Sequence, residues 1–206
     1  MISGKFLKLK PFHTELSEST IRKISKFEPI LALKKKQHIL RPRLACILQG
    51  YYKCDLCPER CRINRIIDSD TCPYHSKGYK IKINNSYCLA SSLPNNNSVP
   101  SSPKEIASIV NSSPSVKCLI FSGLEPTHNI LPALETIKYL SKEVTIVWHT
   151  KLYVTKKALN FLKDLVDIYI ISYGQINKDY WDIFTNNLSY LVKTQPFSKR
   201  VFISGN

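Results

Sequence analysis

The 206-residue chain has no apolar run long enough to cross a membrane. Its longest apolar stretches, such as 45–48 and 168–171, fall far short of the roughly 20 residues a membrane helix needs. No apolar segment follows the lysines of residues 1–11 either, so no signal peptide is expected and the cytoplasm is the expected location. Acidic residues are scarce: 15 Asp and Glu stand against 30 Lys and Arg, a net charge of +15. The imbalance is concentrated early, with 18 basic and 7 acidic residues in 1–83 but 12 and 8 in 84–206. Lys34, Lys35, Lys36, Arg41, Arg43, Arg60, Arg62 and Arg65 carry it. Such an excess attracts phosphate, as RNA or an anionic cofactor, or it forms a solvated basic face.

What is present is an apolar content of 43%, enough for a core, and seven cysteines. In a chain without a secretion signal, clustered cysteines more often bind metal than form disulfides. Three segments follow. Residues 1–45 read as a basic extension with a helix capped by Ser17 or Ser19 and running to about Phe27, where Ile21, Ile24 and Phe27 recur at helical spacing. Residues 46–77 are dense in Cys, Pro and charge, the profile of a segment folded around a metal. Residues 78–206 alternate strand and helix patterns. Strands are expected at 79–83, 118–122, 144–148, 166–171 and 200–204, with a loop over 91–103. Helices are expected at 130–141, 155–162 and 180–191, and one begins at Ser102, with Pro103 in the first turn and Glu105 three residues on. Apolar strands alternating with helices imply α/β architecture with a mainly parallel sheet. About five to six strands in this length give a partial (β/α) barrel, since a closed eight-stranded barrel takes roughly 250 residues.

Cys54, Cys57, Cys61 and Cys72 are the expected metal ligands, placed at the base of the β/α domain. Two residues separate the first pair and three the next, so one loop turns three sulfurs to one side, and Cys72 closes the set. Thiolates select zinc or an iron–sulfur cluster such as 4Fe–4S over hard cations. The spacing leaves that choice open, and His75 is an alternative fourth ligand. Arg60, Arg62 and Arg65 would offset the thiolate charge. Cys46 and Cys118 lie in apolar runs and read as small core residues.

The stretch Cys54-Asp55-Leu56-Cys57-Pro58-Glu59-Arg60-Cys61-Arg62-Ile63-Asn64-Arg65 resembles the cysteine-rich leader of radical S-adenosylmethionine proteins related to the pyruvate formate-lyase activating enzyme. Ser122-Gly123-Leu124-Glu125-Pro126-Thr127 is similar to that family's glycine-glycine-glutamate-proline turn. Residues 144–150 with 166–169 are similar to its strand–helix–strand segment. The resemblance spans roughly residues 50–206. It implies that Gly123 and Glu125 lie where the methionine moiety of S-adenosylmethionine is held. It also implies a reactive cluster on C-x-x-x-C-x-x-C after the first barrel strand, and this chain contains no such motif. Counting from Cys88 at that spacing reaches Ser92 and Asn95, neither an ordinary iron–sulfur ligand.

The expected function is therefore that of a degenerate, accessory or non-catalytic relative with one four-cysteine site, acting with a protein partner and not with a membrane. Two alternatives stand beside it: an active iron–sulfur enzyme using the leader cysteines, and a zinc-stabilised protein that binds nucleic acid, RNA or DNA, through its basic first part. At the expected ligand edge of the sheet, Glu125 with His128 forms either a general acid–base pair or helix-capping groups. Asp167, His149, Ser172 and Tyr173 lie at or near neighbouring strands, and Trp148, Tyr153, Tyr169 and Tyr173 line a pocket or fill the core.

Overall fold

Strands whose residues are apolar on both sides have two faces to bury, and this chain buries both. The computed structural model describes residues 16–67, 72, 78–84, 86–92, 101–173, 178–194 and 200–205. Six strands form one sheet: β1 (Lys80–Asn84), β2 (Tyr87–Ser92), β3 (Cys118–Gly123), β4 (Thr145–Thr150), β5 (Ile168–Tyr173) and β6 (Val201–Gly205). They lie side by side in chain order, β1 antiparallel to β2 and each later pair parallel. The protein is thus α/β with a six-stranded, mostly parallel sheet.

The two-residue period of the strands sorts side chains between two cores. Leu119, Phe121, Ile146, Trp148, Tyr169 and Ile171 face one, and Cys118, Ile120, Val147, Ile168 and Ile170 face the other. The first core also takes the apolar sides of α2 (Leu33–Tyr52), α3 (Pro103–Ser112), α4 (Ile130–Tyr139), α5 (Lys156–Leu162) and α6 (Lys178–Thr194). The second receives Ile24 of α1 (Glu18–Ile24), with Leu16 and Phe27 beside it. Helices α2–α6 therefore cover one face, and the strand order never reverses. A doubly wound sheet has a reversal and helices on both faces. No helix among the described residues is long and apolar enough to cross a membrane.

Local sequence explains the regular elements. Ser102 Oγ accepts from the Glu105 amide at 3.2 Å while Glu105 Oε2 accepts from the Ser102 amide at 2.6 Å, the reciprocal cap that fixes the start of α3. Thr155 caps α5 by accepting from the Ala158 amide, and Ser17 caps α1.

Three expectations give way. First, α2 runs through residues 46–52, so the boundary drawn between 45 and 46 falls inside a helix, and Leu33 and Leu40 of the extension belong to the core. Helix α2 and its neighbours also cap one another. Its Leu33 amide donates to Glu143 at 2.7 Å, Gln37 Nε2 donates to the carbonyls of Lys138 and Leu140, and Arg43 Nη1 donates to that of Phe161. Lys36 is 1% exposed and paired with the buried Asp167, so this lysine of the basic run is no phosphate ligand. Second, β2 replaces the first part of the expected 91–103 loop. It, not β1, is the first parallel strand, and Cys88 sits near its beginning with no exposure, away from the strand's exit. Residues 93–100, which follow that exit, lie outside the described residues and contain no cysteine. Third, Cys46 is exposed rather than in the core, whereas Cys118 is buried as its apolar neighbours imply.

Candidate metal centre and the strand-end network

After α2 the chain folds back on the helix end. The Cys54 amide donates to the Ile63 carbonyl at 3.1 Å, the Arg62 amide to the Cys54 carbonyl at 3.0 Å, and the Arg65 amide to the Tyr51 carbonyl at 2.8 Å. Between them a turn is closed by the Arg60 amide and the Cys57 carbonyl at 3.1 Å. Arg60 and Arg62 take φ values of 43° and 54°, a left-handed conformation uncommon for arginine. The fold-back directs two amides at sulfur: Leu56 N–H toward Cys54 and Glu59 N–H toward Cys57. Donors aimed at sulfur favour the thiolate. Arg65 adds to this, with Nη1 3.7 Å from Cys54 Sγ and its guanidinium 5.3 Å from the centre of the Tyr51 ring.

Burial works the other way. It raises the Cys54 thiol and pushes Cys57 up to about 12, and the neighbouring cysteines raise both further. Cys54, Cys57 and Cys72 are buried in one core, and Cys61 packs against it. Cys61 and Cys72 act electrostatically on both Cys54 and Cys57, so the four sulfurs share a neighbourhood. That neighbourhood is not a finished coordination sphere: among the described residues no three His, Cys, Asp or Glu side chains are gathered to hold a metal ion. His75 lies outside the described residues. By chemistry alone, four thiols backed by two amides directed at sulfur and a buried cation are the donors a thiophilic metal takes.

The segment docks at the C-terminal edge of the parallel strands, not at the base of the domain. Leu56 O accepts from the Thr155 amide at 2.9 Å, Asp55 O accepts from Thr155 Oγ1 at 2.8 Å, and Glu59 accepts from Tyr153 Oη at 2.6 Å. These partners belong to the connection from β4 to α5. Tyr51 Oη accepts from the Leu131 amide at the start of α4.

Gly123 and Glu125 lie along the same edge. Gly123 has φ +135°, and a Cβ there would meet the Ser92 carbonyl oxygen at 2.1 Å, so glycine is required by the approach of β2. Glu125 is 1% exposed, and its acceptors are occupied from within the protein. Oε1 accepts from the Thr127 amide at 3.2 Å and Thr127 Oγ1 at 2.8 Å, while Oε2 accepts from Thr150 Oγ1 at 2.7 Å and the Lys151 amide at 3.0 Å. Burial raises its carboxyl above the ordinary value against these four donors. Glu125 also caps the 3-10 turn Pro126–Asn129, which contains the buried His128.

His149 bridges two serines across adjacent strands, with Nδ1 3.0 Å from Ser122 Oγ and Nε2 2.8 Å from Ser172 Oγ. Burial, aided by Lys151, lowers its pKa to about 4, so the ring is neutral at pH 7. Asp167 sits at the opposite end of β5 and serves the Lys36 pair. Trp148, Tyr153 and Tyr169 are core side chains, and Tyr173 is 38% exposed. Sequence reasoning missed Thr150, Lys151, Tyr51 and Tyr79, whose hydroxyl donates to the carbonyls of Pro126 and Asn129. The polar Thr150-Lys151 pair at the end of an apolar strand was the available signal.

An uncharacterized protein of Methanocaldococcus jannaschii is 32% identical over 122 residues, covering 54% of this chain and 36% of that protein. The match thus spans about a third of the relative's length. No protein-family model matches the chain, and neither does any solved structure.

Proposed function

We propose that the chain is a degenerate relative of the radical S-adenosylmethionine proteins: a partial (β/α) barrel whose inorganic centre is held by Cys54, Cys57, Cys61 and Cys72. Its role is accessory rather than catalytic. The observation that carries the reading is the buried cysteine segment, with two backbone amides and Arg65 directed at its sulfurs. The unreversed strand order with helices α2–α6 on one face supports barrel-type winding. Zinc in such a site supplies a cross-link between distant segments, and an iron–sulfur cluster supplies one-electron transfer. Cys72 being 6% exposed, in the core that holds Cys54 and Cys57, favours four protein ligands over a site with one iron left open.

A second, reactive cluster does not fit. The residues after β2 offer no thiol, and the Glu125 carboxylate already receives four hydrogen bonds from protein groups. The test is incubation of anaerobically reconstituted, dithionite-reduced protein with S-adenosylmethionine. The expected result is that the cofactor stays intact; its turnover into 5′-deoxyadenosine would overturn the accessory role.

A further inference from the structure

An open cleft of about 870 Å³ lies between the cysteine segment, the start of α5 and the middle of α6. Lys53, Arg60, Arg62, Lys156 and Lys157 line it, and Asp55 is its one acidic lining residue among the described residues. Asp55 is paired with Lys157 at 2.7 Å, which leaves Lys53, Arg60, Arg62 and Lys156, each solvent-exposed, with no carboxylate partner among the described residues. Four like charges around one depression repel one another, and an anion relieves that repulsion. The left-handed backbone at Arg60 and Arg62 is the second sign. Strained φ values persist where the surroundings enforce them, and both arginines that adopt them line the cleft. No aromatic side chain among the described residues lines the cleft, so none of them offers stacking on bases.

We propose that this cleft binds single-stranded nucleic acid through its phosphodiester backbone, without reading its bases. The inference goes beyond the metal reading and locates the phosphate attraction away from the buried Lys36 and Arg65. Arginine and lysine heads along a groove track successive phosphates, and each contact releases condensed counterions.

The test is fluorescence anisotropy with labelled 12-mers of U and of dT, on full-length protein purified without oxygen, across 50–300 mM KCl. Four phosphate contacts give a slope of about −3 in log affinity against log salt. RNA and DNA are expected to bind within about threefold of each other, since phosphate is the shared chemistry. R60E/K156E is expected to lose at least about tenfold in affinity, and K156E alone at least about threefold, because each removes contacts and adds repulsion. The K104E/K138E control, with an equal charge change on exposed lysines elsewhere, is expected to stay within about twofold. Salt-independent binding, a K156E affinity equal to wild type, or a strong preference for RNA would overturn the proposal. Metal content measured on the same samples separates the two readings. A metal-free protein that still binds through Lys156 sinks the metal centre alone, and a metal-loaded protein indifferent to K156E sinks the cleft alone.

Discussion

His149 illustrates how a polar residue is made part of a sheet. A neutral imidazole donates through one nitrogen and accepts through the other, and the hydroxyls of Ser122 and Ser172 satisfy both. Because its folded pKa is lowered from 6.5 to about 4, the unfolded chain takes up this proton first on acidification. The contribution is therefore whole above pH 6.5 and is lost as pH falls toward 4. His149→Asn is expected to flatten the fall in unfolding free energy between those pH values by about 3 kcal/mol relative to wild type, measured by urea unfolding across pH. Comparing variant with wild type cancels the opposite trend from Glu125, whose carboxyl is raised. Gly123 is a second residue with no freedom. Gly123→Ala brings Cβ within 2.1 Å of backbone at φ +135°, and a loss of at least about 2 kcal/mol is expected in thermal unfolding.

At the scale of elements, α3 and α5 were legible because their start signals are local: Ser102 with Pro103 and Glu105, and Thr155 before Lys156. Helix α2 was not. Until Tyr51 in its last turn, its buried apolar positions, Leu33, Leu40 and Ile47, recur only every seven residues, one per two turns, among lysines, arginines and Pro42. What makes it a helix of the core is tertiary: Glu143 at its first amide, Asp167 on Lys36 and the open carbonyls at the ends of α4 and α5. Strand β2 was hidden for a related reason, since it runs straight into the Ser, Asn and Pro of residues 93–100. The Lys36–Asp167 pair tests how firmly α2 is held. Desolvation by burial lowers the Lys36 pKa, although Asp167 works to raise it. Lys36→Met strands a carboxylate that also accepts from the Ile30 and Ile146 amides, and should destabilise by about 3–5 kcal/mol in urea titration. Adding Asp167→Asn to that variant should be less harmful than the sum of the two single changes, because the uncompensated charge is gone.

At the scale of the molecule, spacing groups the cysteines in one segment of the sequence but does not say where that segment docks. Contacts about a hundred residues apart in sequence, Thr155 with Asp55 and Tyr153 with Glu59, carry the segment to the C-terminal edge of the sheet. There one docked segment packs its sulfurs inward and sets Arg60 and Arg62 on the cleft. Burial raises the Cys54 and Cys57 thiols, so they hold their protons at neutral pH and binding of a metal there would release them. Affinity for zinc is accordingly expected to climb steeply from pH 6 to pH 8 in a chelator competition titration. The most direct measurement is metal analysis of the wild type and of Cys57→Ser, both purified without oxygen. The wild type should carry about one zinc or four irons per chain and the variant far less. A wild type free of both metals, or a variant loaded like the wild type, would contradict a shared centre on these cysteines.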